Sequence, residues 1–132
     1  MKVSGTSLYL LIAGGRDFDD YGLLERTIKE TEELKKDEIV IISGMARGAD
    51  SLGAKWGKEN CGAVLEFPAD WKKHGKQAGI LRNMEMVDFI EEKRSRFALF
   101  FWDGKSRGTK HCIDYCTKKG VPLKIVEYVN GS

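Results

Sequence analysis

Leu8-Tyr9-Leu10-Leu11-Ile12-Ala13-Gly14-Gly15-Arg16-Asp17 is the stretch that decides the fold. Its apolar part has strand length and stops at two glycines, an arginine and an aspartate. The same arrangement recurs twice. Residues 39–42 run into Ser43-Gly44-Met45-Ala46-Arg47-Gly48-Ala49-Asp50, and residues 97–102 run into Asp103-Gly104-Lys105-Ser106-Arg107-Gly108-Thr109. Two more strand-length apolar runs lie at 63–67 and 122–128.

Helix-length segments separate these runs. Residues 20–35 set Leu23, Leu24, Ile28 and Leu34 on one broad face among charges, and a second segment covers 49–60. A third, 78–93, carries Ile80, Leu81, Met84, Val87 and Ile90; a fourth, 109–119, ends at Gly120 as a C-cap, with Thr109 as its N-cap. Strands that are apolar throughout and alternate with amphipathic helices predict an α/β fold. It is a doubly wound, five-stranded parallel sheet of order 3-2-1-4-5 with helices on both faces. That order puts the topological switch between the first and fourth strands, so the turns at 14–17 and 103–109 should face one another across a crevice.

Glycine lets backbone amides approach an anion closely, and a helix beginning just after the turn adds its positive end. In the first turn Gly14 and Gly15 permit a tight exit, Arg16 can pair with phosphate or carboxylate, and Asp17 can accept a ribose hydroxyl; a plain surface turn with an Arg–Asp pair is the alternative. In the second, Ser43 and the amides around Gly44 and Gly48 can cradle a phosphate that Arg47 neutralises, while Asp50 either caps the helix or binds a sugar. In the third, Asp103, Gly104, Ser106, Arg107, Gly108 and Thr109 offer the same kind of anion site. None of these turns has the G-x-G-x-x-G dinucleotide pattern or the Gly-Lys-Ser/Thr end of a Walker A loop.

The connection at 68–79 is long for such a fold and fits a lid. Within it Trp71 can stack on a base and Asp70 can hydrogen-bond one, while His74 is either a proton carrier or a solvated side chain. Arg82 and Asn83 follow one turn into the next helix, near the same rim or on an exposed face.

The chain of 132 residues suits one domain, 1–132, and nothing in it marks a boundary or a repeat. Its 22 basic and 20 acidic residues give a net charge of +2, which argues against duplex nucleic acid as a partner and requires anion binding to be local. No apolar run reaches membrane length and no basic leader precedes the first strand, so the expected location is cytoplasmic. Cys61, Cys112 and Cys116 lack a paired ligand spacing. Reduced thiols are expected, with no metal and no cofactor.

These segments together resemble the YspA-like (cpYpsA-related) branch of the SLOG superfamily, the Rossmann-like group that includes the LOG phosphoribohydrolases and the DprA/Smf proteins. The carrying residues are Gly14-Gly15-Arg16-Asp17-Phe18, residues 43–50, Phe67-Pro68-Ala69-Asp70-Trp71 with His74-Gly75-Lys76 and Ala78-Gly79, Arg82-Asn83 with Met86, and residues 103–109. The resemblance implies a nucleotide pocket for a nucleoside phosphate or ADP-ribose-like ligand, a bacterial or phage setting, and a homodimer. Arg82-Asn83 with Met86 is similar to the Arg-Lys-x-x-Met element of LOG enzymes, and Gly108-Thr109 to the Gly-Thr of their glycine-rich motif. Where those enzymes carry a catalytic glutamate, this chain has His111, Cys112 and Ile113. Met45 stands where the YspA-like pattern has a second glycine, which would narrow the pocket floor.

Two functions follow. One is a nucleotide-binding module that senses, sequesters or processes its ligand. The other is a nucleosidase or phosphoribohydrolase that splits an N-glycosidic bond, for which Asp50 is the first candidate among the carboxylates that could activate water. Single-stranded DNA binding, by analogy with DprA, has Trp71 and the nearby lysines in its favour and the near-neutral charge against it.

Overall fold

A computed structural model describes residues 7–129. Five strands form one parallel sheet: β1 (Leu8–Gly14), β2 (Ile39–Ser43), β3 (Val64–Glu66), β4 (Arg96–Trp102) and β5 (Leu123–Glu127). Their order is β3-β2-β1-β4-β5, and every neighbouring pair is parallel. The sheet is therefore the doubly wound one expected, with β1 paired to β4 from Tyr9↔Arg96 through Gly14↔Phe101.

Alternation along the central strands explains the two layers of helices. Leu8, Leu10 and Ile12 of β1, with Phe97, Leu99 and Phe101 of β4, form one buried cluster. It is closed by α1 (Tyr21–Glu30) through Leu24 and Ile28 and by α2 (Ala49–Asn60) through Ala49. The intervening Leu11, Ala13, Ala98 and Phe100 point the other way. They meet Met86, Val87 and Ile90 of α4 (Ala78–Glu91) and Cys112, Ile113 and Cys116 of α5 (Arg107–Lys118). The edge strands lie on a thinner core: Leu65 in β3 and Ile125 in β5 are about two-fifths exposed.

Several boundaries move for local reasons. The first helix stops at Glu30 because Thr31 turns extended and its hydroxyl donates to the Thr27 carbonyl at 2.6 Å; residues 32–34 form only a 3-10 turn. Thr109 is not the N-cap of the last helix. Ser106 takes that place, accepting the Thr109 amide at 3.4 Å, so α5 begins two residues earlier. The 68–79 connection is partly helical, with α3 (Trp71–His74) and a 3-10 turn at Gly75–Gln77. Among the described residues no helix is long and apolar enough to cross a membrane.

Candidate functional site

The carboxyl ends of β1, β2 and β4 open onto a cleft of about 520 Å³, within the range of small-molecule sites. The Gly14 and Asp103 turns lie on either side of it, as the strand order requires. Gly14, Gly15, Arg16, Asp17, Arg47, Asp50, Trp71, Arg82, Asn83, Asp103, Ser106, Gly108 and Thr109 all line it. Gly44 lines a second, adjoining cleft. Ser43, Gly48, Asp70, Gly104 and Arg107 line neither.

Ser43, Gly48 and Asp70 are taken up in holding the fold instead. Ser43 is fully buried; its hydroxyl donates to the Asp50 carbonyl at 3.0 Å and accepts the Met45 amide at 3.1 Å. Gly48 has φ +83, and a Cβ there would collide with the Gly15 carbonyl and the Arg16 backbone. Its bare backbone lets the second turn lie against the first. The Gly15 carbonyl accepts the Ala49 amide at 3.1 Å, which ties the start of α2 to the first turn. Asp70 caps α3 by accepting the Lys73 amide at 3.0 Å.

In the third turn the Lys105 and Ser106 amides are used internally. Both donate to the Asp103 carboxylate at 2.8 Å, which holds its pKa below the usual carboxylate value. The Trp102 indole donates to the Ser106 carbonyl at 3.0 Å and stiffens the same turn. The Gly108 amide, in the first helical turn of α5, has no acceptor within the helix, and Gly108 borders the cleft.

Asp50 is the buried carboxylate of the site, 4% exposed in the first turn of α2. One oxygen accepts the Ala46 amide at 3.3 Å. Burial raises its pKa from 3.8 to about 6, against the lowering influence of Arg82, the Ala46 and Gly14 amides, and Arg16. Arg82 is buried as well, 8% exposed, and donates to the Gly44 carbonyl and to Asn83 Oδ1 at 2.8 Å. A Cβ on Gly44 would lie 2.7 Å from Asp50 Oδ2 and 2.8 Å from the Arg82 side chain. Only glycine fits between this arginine and this aspartate.

Asp17 is held by the residue that follows β5. The Tyr128 hydroxyl donates to its carboxylate, and Phe18 packs between Phe101, stacked at 4.5 Å, and the Tyr128 ring. Burial and this bond push the Tyr128 phenol up. Arg16 reaches the other way, its guanidinium 5.7 Å from the Trp71 ring centre. Met45 has φ +61, the left-handed conformation that glycine takes freely. It borders the second cleft, so it does not narrow the floor of the first.

Four cations, Arg16, Arg47, Lys76 and Arg82, and three carboxylates, Asp17, Asp50 and Asp103, face the first cleft. Lys76, Gly79, Ile80, Ala13, Ala46 and Cys112 also line it; Lys76, Gly79 and Ala46 lie in the stretches that carry the family resemblance, but the sequence singles out none of the six as a ligand-binding residue. Cys112 was legible in one respect, since it follows Thr109 by three residues on one helix face. Its thiol is held protonated by its hydrogen bond with Cys116 and by burial. His111 and His74 are exposed and stand outside the cleft. Among the described residues no three His, Cys, Asp or Glu side chains are grouped to hold a metal ion.

Comparison with known proteins gives three likenesses. Residues 9–74 match the model of the YspA, cpYpsA-related SLOG family. The Gene 61 protein of Mycobacterium phage D29 is 34% identical over 119 residues, covering 86% of this chain and 92% of that protein. The C-terminal domain of a Pyrococcus furiosus hydrogenase superposes with a TM-score of 0.52 at 11% identity over 92% of both chains, a likeness of fold alone.

Proposed function

The chain belongs to the YspA, cpYpsA-related SLOG family, and from that premise we propose that it binds a nucleotide or nucleotide-derived ligand between the Gly14 and Gly108 turns. The ligand is a nucleoside phosphate or an ADP-ribose-like molecule, and the protein is a sensing, sequestering or processing module. The observation that carries this reading is the convergence of Arg16, Arg47 and Arg82 with the carboxylates Asp17 and Asp103 on one cleft. Guanidinium groups recognise phosphate, and carboxylates accept ribose hydroxyls. Calorimetry against AMP, NAD, ADP-ribose and cyclic nucleotides tests it: at least one should bind with Kd of about a micromolar or tighter. Silence across that panel from folded protein would overturn the proposal. A cytoplasmic location, a single domain over residues 1–132 and a homodimer belong to the same reading, and sedimentation measures the last.

Asp50 favours a second reading, hydrolysis of a nucleotide's N-glycosidic bond. A buried carboxylate with a pKa of about 6 at the cleft can take a proton from water near neutral pH. Asp50 would take one proton as the water oxygen bonds to the anomeric carbon, the bond to the base would break, and that proton would pass to the departing base, or to solvent where the base is nicotinamide and leaves neutral. Chromatography of nucleoside monophosphates and NAD after incubation decides it. Base release that disappears in Asp50→Ala supports the reading, and no release at high protein concentration ends it.

A further inference from the structure

Of the carboxylates that face the first cleft, Asp103 and Asp50 are engaged by their own turns. Asp103 takes the Lys105 and Ser106 amides on a single oxygen, and Asp50 is buried with the Ala46 amide on its carboxylate. Asp17 is the exposed one. Among the described residues no cation pairs with it, and the neighbouring Arg16 is turned toward Trp71. The Tyr128 hydroxyl donates to Oδ1, which leaves Oδ2 open to a ligand.

An exposed aspartate samples several rotamers, and a ligand that uses it must bear the cost of fixing one of them. Tyr128 removes that cost, because its own position is set on every side. Its amide donates to the Trp102 carbonyl at 3.1 Å, and its ring meets Phe18 edge-on at 4.9 Å. Its hydroxyl is seated against Gly15, where a Cβ would collide with it. Gly15 therefore serves this clamp as well as the tight turn. Facing a carboxylate, which only accepts, the phenol must be the donor. Tyr128 lines neither cleft, so it can act on a ligand only through Asp17.

We propose that Tyr128 is a positioning residue that makes the site select ribonucleotides over deoxyribonucleotides. It holds the Asp17 carboxylate so that the open oxygen accepts a ribose hydroxyl, and a sugar without that hydroxyl gains nothing from the clamp. The proposal rests on the nucleotide-binding reading above and adds which sugar the site takes and what enforces the choice.

Calorimetry with AMP, 2′-deoxy-AMP and 3′-deoxy-AMP on wild type, Tyr128→Phe and Asp17→Ala tests it. Wild type should bind AMP about tenfold tighter than at least one of the deoxy analogues, the worth of a hydrogen bond to a charged group. Tyr128→Phe keeps the ring against Phe18 and removes only the hydroxyl. It should weaken AMP by about tenfold and leave that analogue's affinity unchanged, so that the selectivity disappears. The unchanged analogue also reports an intact fold. Asp17→Ala should lose the same selectivity, and adding Tyr128→Phe to it should change nothing further. Equal affinities for all three nucleotides in wild type would overturn the proposal while leaving nucleotide binding intact. So would selectivity that survives either variant, or equal weakening of all three by Tyr128→Phe, the mark of a merely structural tyrosine. If none of the three binds wild type the proposal falls, and an ADP-ribose titration of the same sample shows whether the nucleotide reading falls with it.

Discussion

Replacing Asp50 by asparagine should make the protein more stable at neutral pH. The carboxyl is buried and its pKa stands at about 6 in the fold against 3.8 outside it. The folded state thus holds a proton that the unfolded chain releases between those values, and the stability that comes from this proton is lost as pH rises. Integrated across the window, the ionised carboxylate costs about 0.5 kcal/mol at pH 4, about 1.6 at pH 5 and about 3 at pH 7. Asparagine has nearly the shape of the protonated acid and never ionises. The stability of Asp50→Asn minus that of wild type should therefore start near zero in acid and climb to about 3 kcal/mol by pH 7. Urea titrations of both proteins at several pH values measure the difference, and subtraction cancels carboxylates common to both. A difference that does not change with pH, or a variant weaker than wild type at pH 7, would refute the argument. A carboxylate that costs stability where an amide would not is the pattern of a group kept for its chemistry.

Arg82→Met should destabilise the fold by about 3 kcal/mol, because it strands the Gly44 carbonyl and removes the cation facing Asp50; the pKa of Asp50 should then move above 6, read by carboxyl NMR titration. Met45→Gly should lie within about 1 kcal/mol of wild type, on the stabilising side, since relief of the left-handed strain at φ +61 outweighs the added freedom of the unfolded chain. Met45→Val, β-branched at the same position, should cost more than about 1 kcal/mol, and urea midpoints compare the two. ADP-ribose, whose diphosphate does not titrate near neutrality, should bind more tightly as pH falls from about 7.5 to 5.5, because protonation of Asp50 removes a negative charge beside it. Calorimetry on Asp50→Asn should show that dependence flattened.

The order of the sheet could be read because each strand announces itself twice, by an apolar run and by the turn that ends it. The second helix, 49–60, was legible to the residue. Edges were less so: residues 63–67 shorten to Val64–Glu66, which pair with only the last three residues of β2, Ile41 to Ser43. The shift at Ser106 arose because two hydroxyls three residues apart both suited the cap, and the Asp103 turn selects the earlier one.

For the site, the sequence indicated which turns meet but not how their amides are spent. Gly15 and Ala49 are 34 residues apart, and only the folded chain shows the carbonyl of one taking the amide of the other. Likewise Ser43 has the residue type of a phosphate ligand, yet its hydroxyl fastens the start of α2. The cleft's cationic character therefore comes from arginine side chains more than from the glycine amides. Tyr128 gave no sequence signal because it reaches Asp17 from the opposite end of the chain.

The central claim is that a nucleotide lies between the first and third of these turns. Amide NMR of the labelled protein during an ADP-ribose titration tests it most directly. The account predicts saturable shifts concentrated at Gly14, Gly15, Arg16, Arg47, Gly108 and Thr109, with β3 and the body of α1 unmoved. Shifts confined to surfaces away from these residues, or none at millimolar ligand, would contradict it.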